Sequence, residues 1–110
     1  MRLEGQLCGV TDWANVPASS HPGRSGTATA QTRHLGDIQL RLVSYSSGYE
    51  ADDWCEKGHI VFVVSGSLTI EHQDGGRYIL SAGMSYHVAD GEGAPHRLVS
   101  NQGGSIFVID

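Results

Sequence analysis

The sequence predicts an all-β fold, a small sandwich or barrel of about eight strands. Three observations carry this. Apolar and polar residues alternate with period two through most of the chain after Thr27. Glycine-bearing turns interrupt that alternation about every 8–12 residues. No segment shows a helical period beyond a short piece near Thr11–Val16. The 110 residues fit one domain, because two would each be too small to hold a core.

Residues 1–26 are weakly patterned and are expected to form an N-terminal arm that packs on the barrel or on a partner. Residues 27–110 would form the barrel itself. Within the arm, Thr11 or Asp12 caps a short turn that Pro17 ends. Ser19 to Gly26 reads as loop. The strand candidates begin with Ala28–Arg33 and Ile38–Ser44, separated by His34-Leu35-Gly36-Asp37. Ile60–Val64 is apolar on both faces, so one face fills the barrel and the other needs cover. That cover would be a second sheet, the arm or a second subunit, with Trp13 and Trp54 as candidates. Ser65-Gly66 breaks the run. Ser67–His72 then places Leu68 and Ile70 inward, with Thr69 and Glu71 outward. Asp74-Gly75-Gly76 is a hairpin signal before Arg77–Leu80. Met84–Val88, His96–Ser100 and Ser105–Ile109 complete the set, with a loop over 90–95.

Composition excludes several function classes. The formal net charge of −5 gives no basic surface for nonspecific nucleic-acid binding. No apolar run approaches the about 18 residues of a membrane-spanning helix, so membrane function is not expected. Met1–Val10 has no apolar core of a secretory signal, and the expectation is a soluble, cytoplasmic protein. Cys8 and Cys55 do not make a disulfide framework.

Gly48 to His59 is the segment richest in reactive side chains. If it is extended, Asp53 and Cys55 point to one side, with Asp52 and Trp54 to the other. A bulge would exchange the roles of Asp52 and Asp53. Gly58 lets the chain turn so that His59 returns to the same space. Carboxylate, thiolate and imidazole are all metal-ligand types. A thiolate–imidazolium pair of Cys55 and His59 is the nucleophilic alternative, without a visible oxyanion element. His72 and His87 are expected to be exposed, because the apolar residues of their strands face the other way. Tyr45, Tyr49, Tyr78 and Tyr86 are core or rim candidates. Gly75-Gly76 is a turn and no phosphate loop, since no helix follows it.

This segment resembles the first conserved motif of the cupins: glycine, His-x-His, glutamate, glycine. Asp53 and Cys55 fall on the His-x-His pair and His59 on the glutamate. Gly66 keeps its spacing, and Gly48 is one residue closer than the motif has it. The second motif is matched by Gly93-Ala94-Pro95-His96, with Ser100 at the asparagine position and Gly91 in place of the proline. A rival register puts Tyr86 in the histidine position after Gly83. His96 is preferred because His96 and Leu98 share a strand face. The chain also resembles a group of small single-domain cupins named for an Asp-His-Trp-Cys motif, through Asp52 to Cys55, Lys57-Gly58-His59, His21-Pro22-Gly23 and Phe107 to Asp110. Asp53 replaces that group's histidine.

The resemblance implies a double-stranded β-helix, or jelly-roll barrel. It also implies a metal held by Asp53, Cys55, His59 and His96. This donor set suits Zn²⁺ first, with Fe²⁺, Mn²⁺ and Ni²⁺ as alternatives. A small-molecule ligand and a homodimer are expected. Two readings follow. One is a metal-dependent enzyme of the dioxygenase, isomerase or lyase kind, with Arg41 and Tyr86 near the substrate. The other is a non-catalytic cupin module that binds a ligand or a metal. The bland reading is a metal-free cavity in which Cys55 is an inert buried thiol.

Overall fold

The computed structural model describes residues 2–91 and 93–110, so Met1 and Glu92, read above within the arm and the 90–95 loop, lie outside the described residues. It is all-β: nine strands and one 3₁₀ turn, with no α-helix among the described residues. The strands are β1 (Ala18–Pro22), β2 (Thr27–Leu35), β3 (Ile38–Tyr45), β4 (Tyr49–Glu50), β5 (His59–His72), β6 (Arg77–Ser81), β7 (Ser85–Val88), β8 (His96–Ser100) and β9 (Gly104–Ile109). All strand pairs are antiparallel. The main path runs β1-β2-β3-β9-β5-β8-β4, with β6 and β7 also on β5.

The longest strand closes the barrel. The first half of β5 pairs with β9 and β7, and the second half with β8 and β6. The Ser65-Gly66 break predicted from sequence is therefore a bend within one 14-residue strand. The register slips between Val63 and Ser65, and Gly66 adopts a φ of 76°. A Cβ at Gly66 would also collide with the Gly103 carbonyl across the pair. The bend moves the chain from one sheet to the other, which is what β-bulges do at barrel corners.

The inward alternation holds. Val61, Val63, Leu68 and Ile70 of β5 are buried with Val43, Ile106 and Val108. Removing a buried aliphatic side chain of this kind costs about 2–5 kcal/mol. Ser100, at the asparagine position of the second motif, is buried and structural. Its Oγ donates to Ser67 O at 2.7 Å and accepts from Gly103 N at 3.0 Å.

The arm departs from the reading in one respect. Residues 18–22, expected within or beside a loop, form the edge strand β1, paired residue for residue with β2. Its burial pattern is exposed throughout, so its own alternation carries no signal. The short turn at Trp13–Asn15 is present as a 3₁₀ turn, and the Asp12 carboxylate caps it by accepting from Ala14 N at 3.2 Å. Gln31 of β2 ties the arm down by donating to the Trp13 and Val16 carbonyls. Trp13 meets Phe107 edge to face at 6.0 Å.

Trp13 thus covers the outer face of β9, next to the strand that needed cover. Ile60, Phe62 and Val64 on the outer face of β5 remain 51%, 45% and 50% exposed. Trp54 does not lie over them as a cover. Its ring sits beneath the Arg97 guanidinium at 4.8 Å. Cys8 and Cys55 are both free thiols. No helix among the described residues is long and apolar enough to cross a membrane.

Candidate metal centre and cavity

The segment from Ala51 to Gly58 is not a strand. Ala51 N donates to Leu98 O at 3.1 Å, and Cys55 forms an isolated antiparallel bridge to His96. Cys55 N donates to His96 O at 2.7 Å, and His96 N donates to Cys55 O at 3.0 Å. Directly opposed residues of an antiparallel pair project to the same face. This local pairing, and not an extended run from Asp53, aims Cys55 into the barrel. Gly58 allows close approach to the 88–90 segment: its N–H donates to the Asp90 carboxylate, and a Cβ would meet Val88 O at 2.8 Å.

Cys55, His59 and His96 are brought together. Their sulfur and ring nitrogens lie within 4.8 Å of one another. The fourth predicted residue, Asp53, is exposed and lines the same cavity, but its carboxylate is outside this group. Asp52 is exposed next to it.

The hydrogen bonds set the ring orientations. His96 is 3% exposed, and its Nδ1 faces the Ala94 carbonyl at 3.0 Å. A carbonyl only accepts, so Nδ1 carries the hydrogen and the Nε2 lone pair is bare in the neutral ring. His59 Nδ1 faces Asp110 Oδ2 at 3.5 Å. That distance is too long for a formed hydrogen bond, yet the carboxylate favours a hydrogen on Nδ1. The two Nε2 atoms then face each other at 2.8 Å. With a hydrogen on either Nε2 this contact is a hydrogen bond; with both lone pairs bare the rings repel, and a cation between them relieves the repulsion. A proton is the weaker choice. Burial first, then His96, hold His59 below the usual imidazole range, Asp110 pulling the other way. A metal ion suits the arrangement better. Zn–N bonds of about 2.0–2.1 Å in a tetrahedron place the nitrogens about 3.3 Å apart, a small opening from the present contact.

Two neighbours were not found from sequence. Asp110 is buried at the end of β9, with its side chain 6% exposed, and it links His59 to Arg41, whose Nη2 donates to Asp110 Oδ2 at 2.8 Å. It lies 51 residues from His59, and only the β5–β9 pairing brings the two strands together. His72, expected to be exposed, is half-buried. Its Nε2 and the Tyr86 hydroxyl are 2.7 Å apart, and it sits opposite His96 in the β5–β8 register. His72 shares the strand face of Leu68 and Ile70, four and two residues before it, so the period of two itself carries it inward and the expectation of exposure is corrected. His87 is exposed, as read. Tyr86 is buried. Burial first, then Tyr78 and Cys55, push its phenol up.

The cavity beside this centre has a volume of about 240 Å³. Its floor is apolar, with Val61, Ile70, Ile106 and Val108. Its wall carries Arg41 and Tyr45. Burial keeps the Tyr45 phenol protonated far beyond neutral pH.

No protein-family model matches the chain, and no curated protein matches it. Solved structures do. A sugar phosphate isomerase of the cupin superfamily from Silicibacter pomeroyi DSS-3 aligns over 92% of this chain and 74% of its own, at 18% identity and a TM-score of 0.72. Ectoine synthase from P. lautus aligns over 93% and 76%, at 15% identity and a TM-score of 0.75. An RmlC-like cupin from Shewanella frigidimarina NCIMB 400 aligns over 90% and 86%, at 18% identity and a TM-score of 0.74. The fold is therefore the cupin jelly roll. The narrower likeness to the Asp-His-Trp-Cys group rests on the sequence alone.

Proposed function

We propose that this chain, a cupin by fold, is a metal-dependent protein that binds and acts on a small molecule in its barrel. The observation that carries this is the gathering of Cys55 Sγ and the His59 and His96 ring nitrogens within 4.8 Å of one another, with the two Nε2 atoms 2.8 Å apart. Cys55, His59 and His96 would hold the ion, with zinc the ion this donor set suits best and Fe²⁺, Mn²⁺ or Ni²⁺ the competitors. Three protein ligands would leave a tetrahedral ion one further position for a donor or ligand. Asp53, at the cavity wall, is proposed as a fourth donor that a ligand displaces. A bound metal would supply Lewis-acid polarisation of a ligand oxygen. The chain's own residues do the rest. Ala94 O and Asp110 orient the imidazoles, Arg41 braces Asp110, and the apolar floor excludes water.

Elemental analysis of natively purified protein tests the reading. Near-stoichiometric transition metal is expected, lost in Cys55→Ser. Metal-free wild-type protein would sink it. The non-catalytic module would be indicated if ligands raise the melting temperature of the metal-loaded protein and no hit is turned over.

A second copy of the chain is proposed on the Ile60, Phe62 and Val64 strip, which the arm leaves open. Light scattering should give a dimer mass at micromolar concentration, and Phe62→Asp should return it to a monomer.

A further inference from the structure

We infer that the cavity recognises its ligand by a carboxylate, seated on the Arg41 guanidinium, with an apolar body lying on the cavity floor. This rests on the reading that the cavity takes a small molecule, and it names that molecule's class.

Arg41 and Arg97 are the two cations among the cavity-lining residues. Arg97 is already committed. Its Nη2 lies 3.2 Å from Glu50 Oε1, its Nε donates to Glu71 Oε1 at 3.0 Å, and its plane covers Trp54. Arg41 is not. Nη2 donates to Asp110, and among the described residues Nη1 has no protein acceptor. Nη1 is also absent from the buried atoms that lack partners, so it is open to solvent in the cavity, and the side chain as a whole is 31% exposed. The free end of the guanidinium therefore presents parallel N–H groups from Nη1 and Nη2, a fork that matches two coplanar oxygens. Tyr45, four residues along the same face of β3, adds a neutral hydroxyl donor to the same wall.

The polar atoms around this fork are not satisfied by the protein. Arg41 Nε, Asp110 Oδ1 and His59 Nδ1 are all buried without a hydrogen-bond partner. A purely structural ion pair would satisfy its members, because each orphan buried polar atom weakens the fold. An array left incomplete in a cavity wall is instead suited to a ligand. A phosphate fits less well. It brings about two charges and three acceptor oxygens, and this wall offers one uncommitted guanidinium, no lysine and no helix N-terminus. The floor of Val61, Ile70, Ile106 and Val108 offers nothing to a polyhydroxylated body.

The test is calorimetric titration of natively purified protein with isocaproate, its neutral amide isocaproamide, and methyl phosphate. The acid is expected to bind at least tenfold more tightly than the amide and more tightly than methyl phosphate. Arg41→Met should bring acid and amide to parity. Equal binding of acid and amide, no binding of either, a preference for methyl phosphate, or a preference that survives Arg41→Met would each overturn the inference. If Arg41→Met does not fold, Arg41→Lys decides. It keeps the charge and loses the fork, so the preference should fall at least threefold, and full retention would count against Arg41. The same titrations on chelator-treated protein separate this inference from the metal reading. An acid preference in protein that never held metal leaves the carboxylate site standing and removes the metal centre. Stoichiometric metal without an acid preference does the reverse.

Discussion

Asp110→Asn separates a carboxylate that tunes the proposed metal centre from one that only braces the fold. Asp110 Oδ2 accepts from Arg41 Nη2 at 2.8 Å and faces His59 Nδ1 at 3.5 Å. The substitution keeps the shape and removes the charge. Two effects follow. His59 loses the carboxylate that favours a hydrogen on Nδ1 and so, in the proposed centre, leaves Nε2 free for the ion. Loss of such an outer partner weakens metal binding about tenfold to a hundredfold, which is about 1.4–2.7 kcal/mol. Arg41 also loses its counter-charge. Breaking a fully buried pair costs about 3–5 kcal/mol, and a third of Arg41 is open to water, so about 1–3 kcal/mol is expected here. For a domain of this size that lowers the melting temperature by about 4 °C or more. Zinc affinity is measured by competition with a chromophoric chelator, and stability by thermal melts of loaded and stripped protein. A lower melting temperature with zinc affinity unchanged within twofold would refute the role assigned to Asp110 at the metal centre.

Three further outcomes are expected. His96→Ala should reduce bound zinc from near one per chain to trace, whereas Asp53→Ala should keep it with at most about a tenfold loss of affinity; equal losses in both would make Asp53 a full ligand. In metal-stripped protein, His59 takes its proton less readily folded than unfolded, where its pKa is about 6.5. The unfolded chain then binds more protons below about pH 6.5, so stability is fully present above that pH and is lost as pH falls through the window beneath it. Thermal melts from about pH 8 to about pH 5.5 check this, and a melting temperature that rises on acidification would contradict it. Finally, Gly66→Ala should be far more destabilising than Gly83→Ala. Both have positive φ, a strain of about 1–3 kcal/mol, but a Cβ at Gly83 meets nothing within 4 Å, whereas at Gly66 it strikes the Gly103 carbonyl. Equal unfolding free energies by denaturant titration would refute the argument.

Much of the barrel is legible in local sequence, because a strand with one buried face writes its burial into a period of two. Leu68 and Ile70 inward, the break at Gly66 and the strand His96–Ser100 are all set within a few residues. His59 and His96 are legible through spacing against a known motif. The edge strand β1 is not, because both its faces are exposed and no alternation marks it. Nor is the direction of Cys55, which comes from a single bridge to a residue 41 positions away. His72 was legible too, since it shares the inward face of Leu68 and Ile70, but Asp110 joins the cluster only because β9 lies between β3 and β5. The sequence by itself determined the period of the strands, the places where they turn and the reactive side chains available. The tertiary structure alone decided which of those side chains share a cavity and which atoms of them remain unpaired. Patterning acts between neighbours along the chain, and a site is made by strands that meet across a closed sheet.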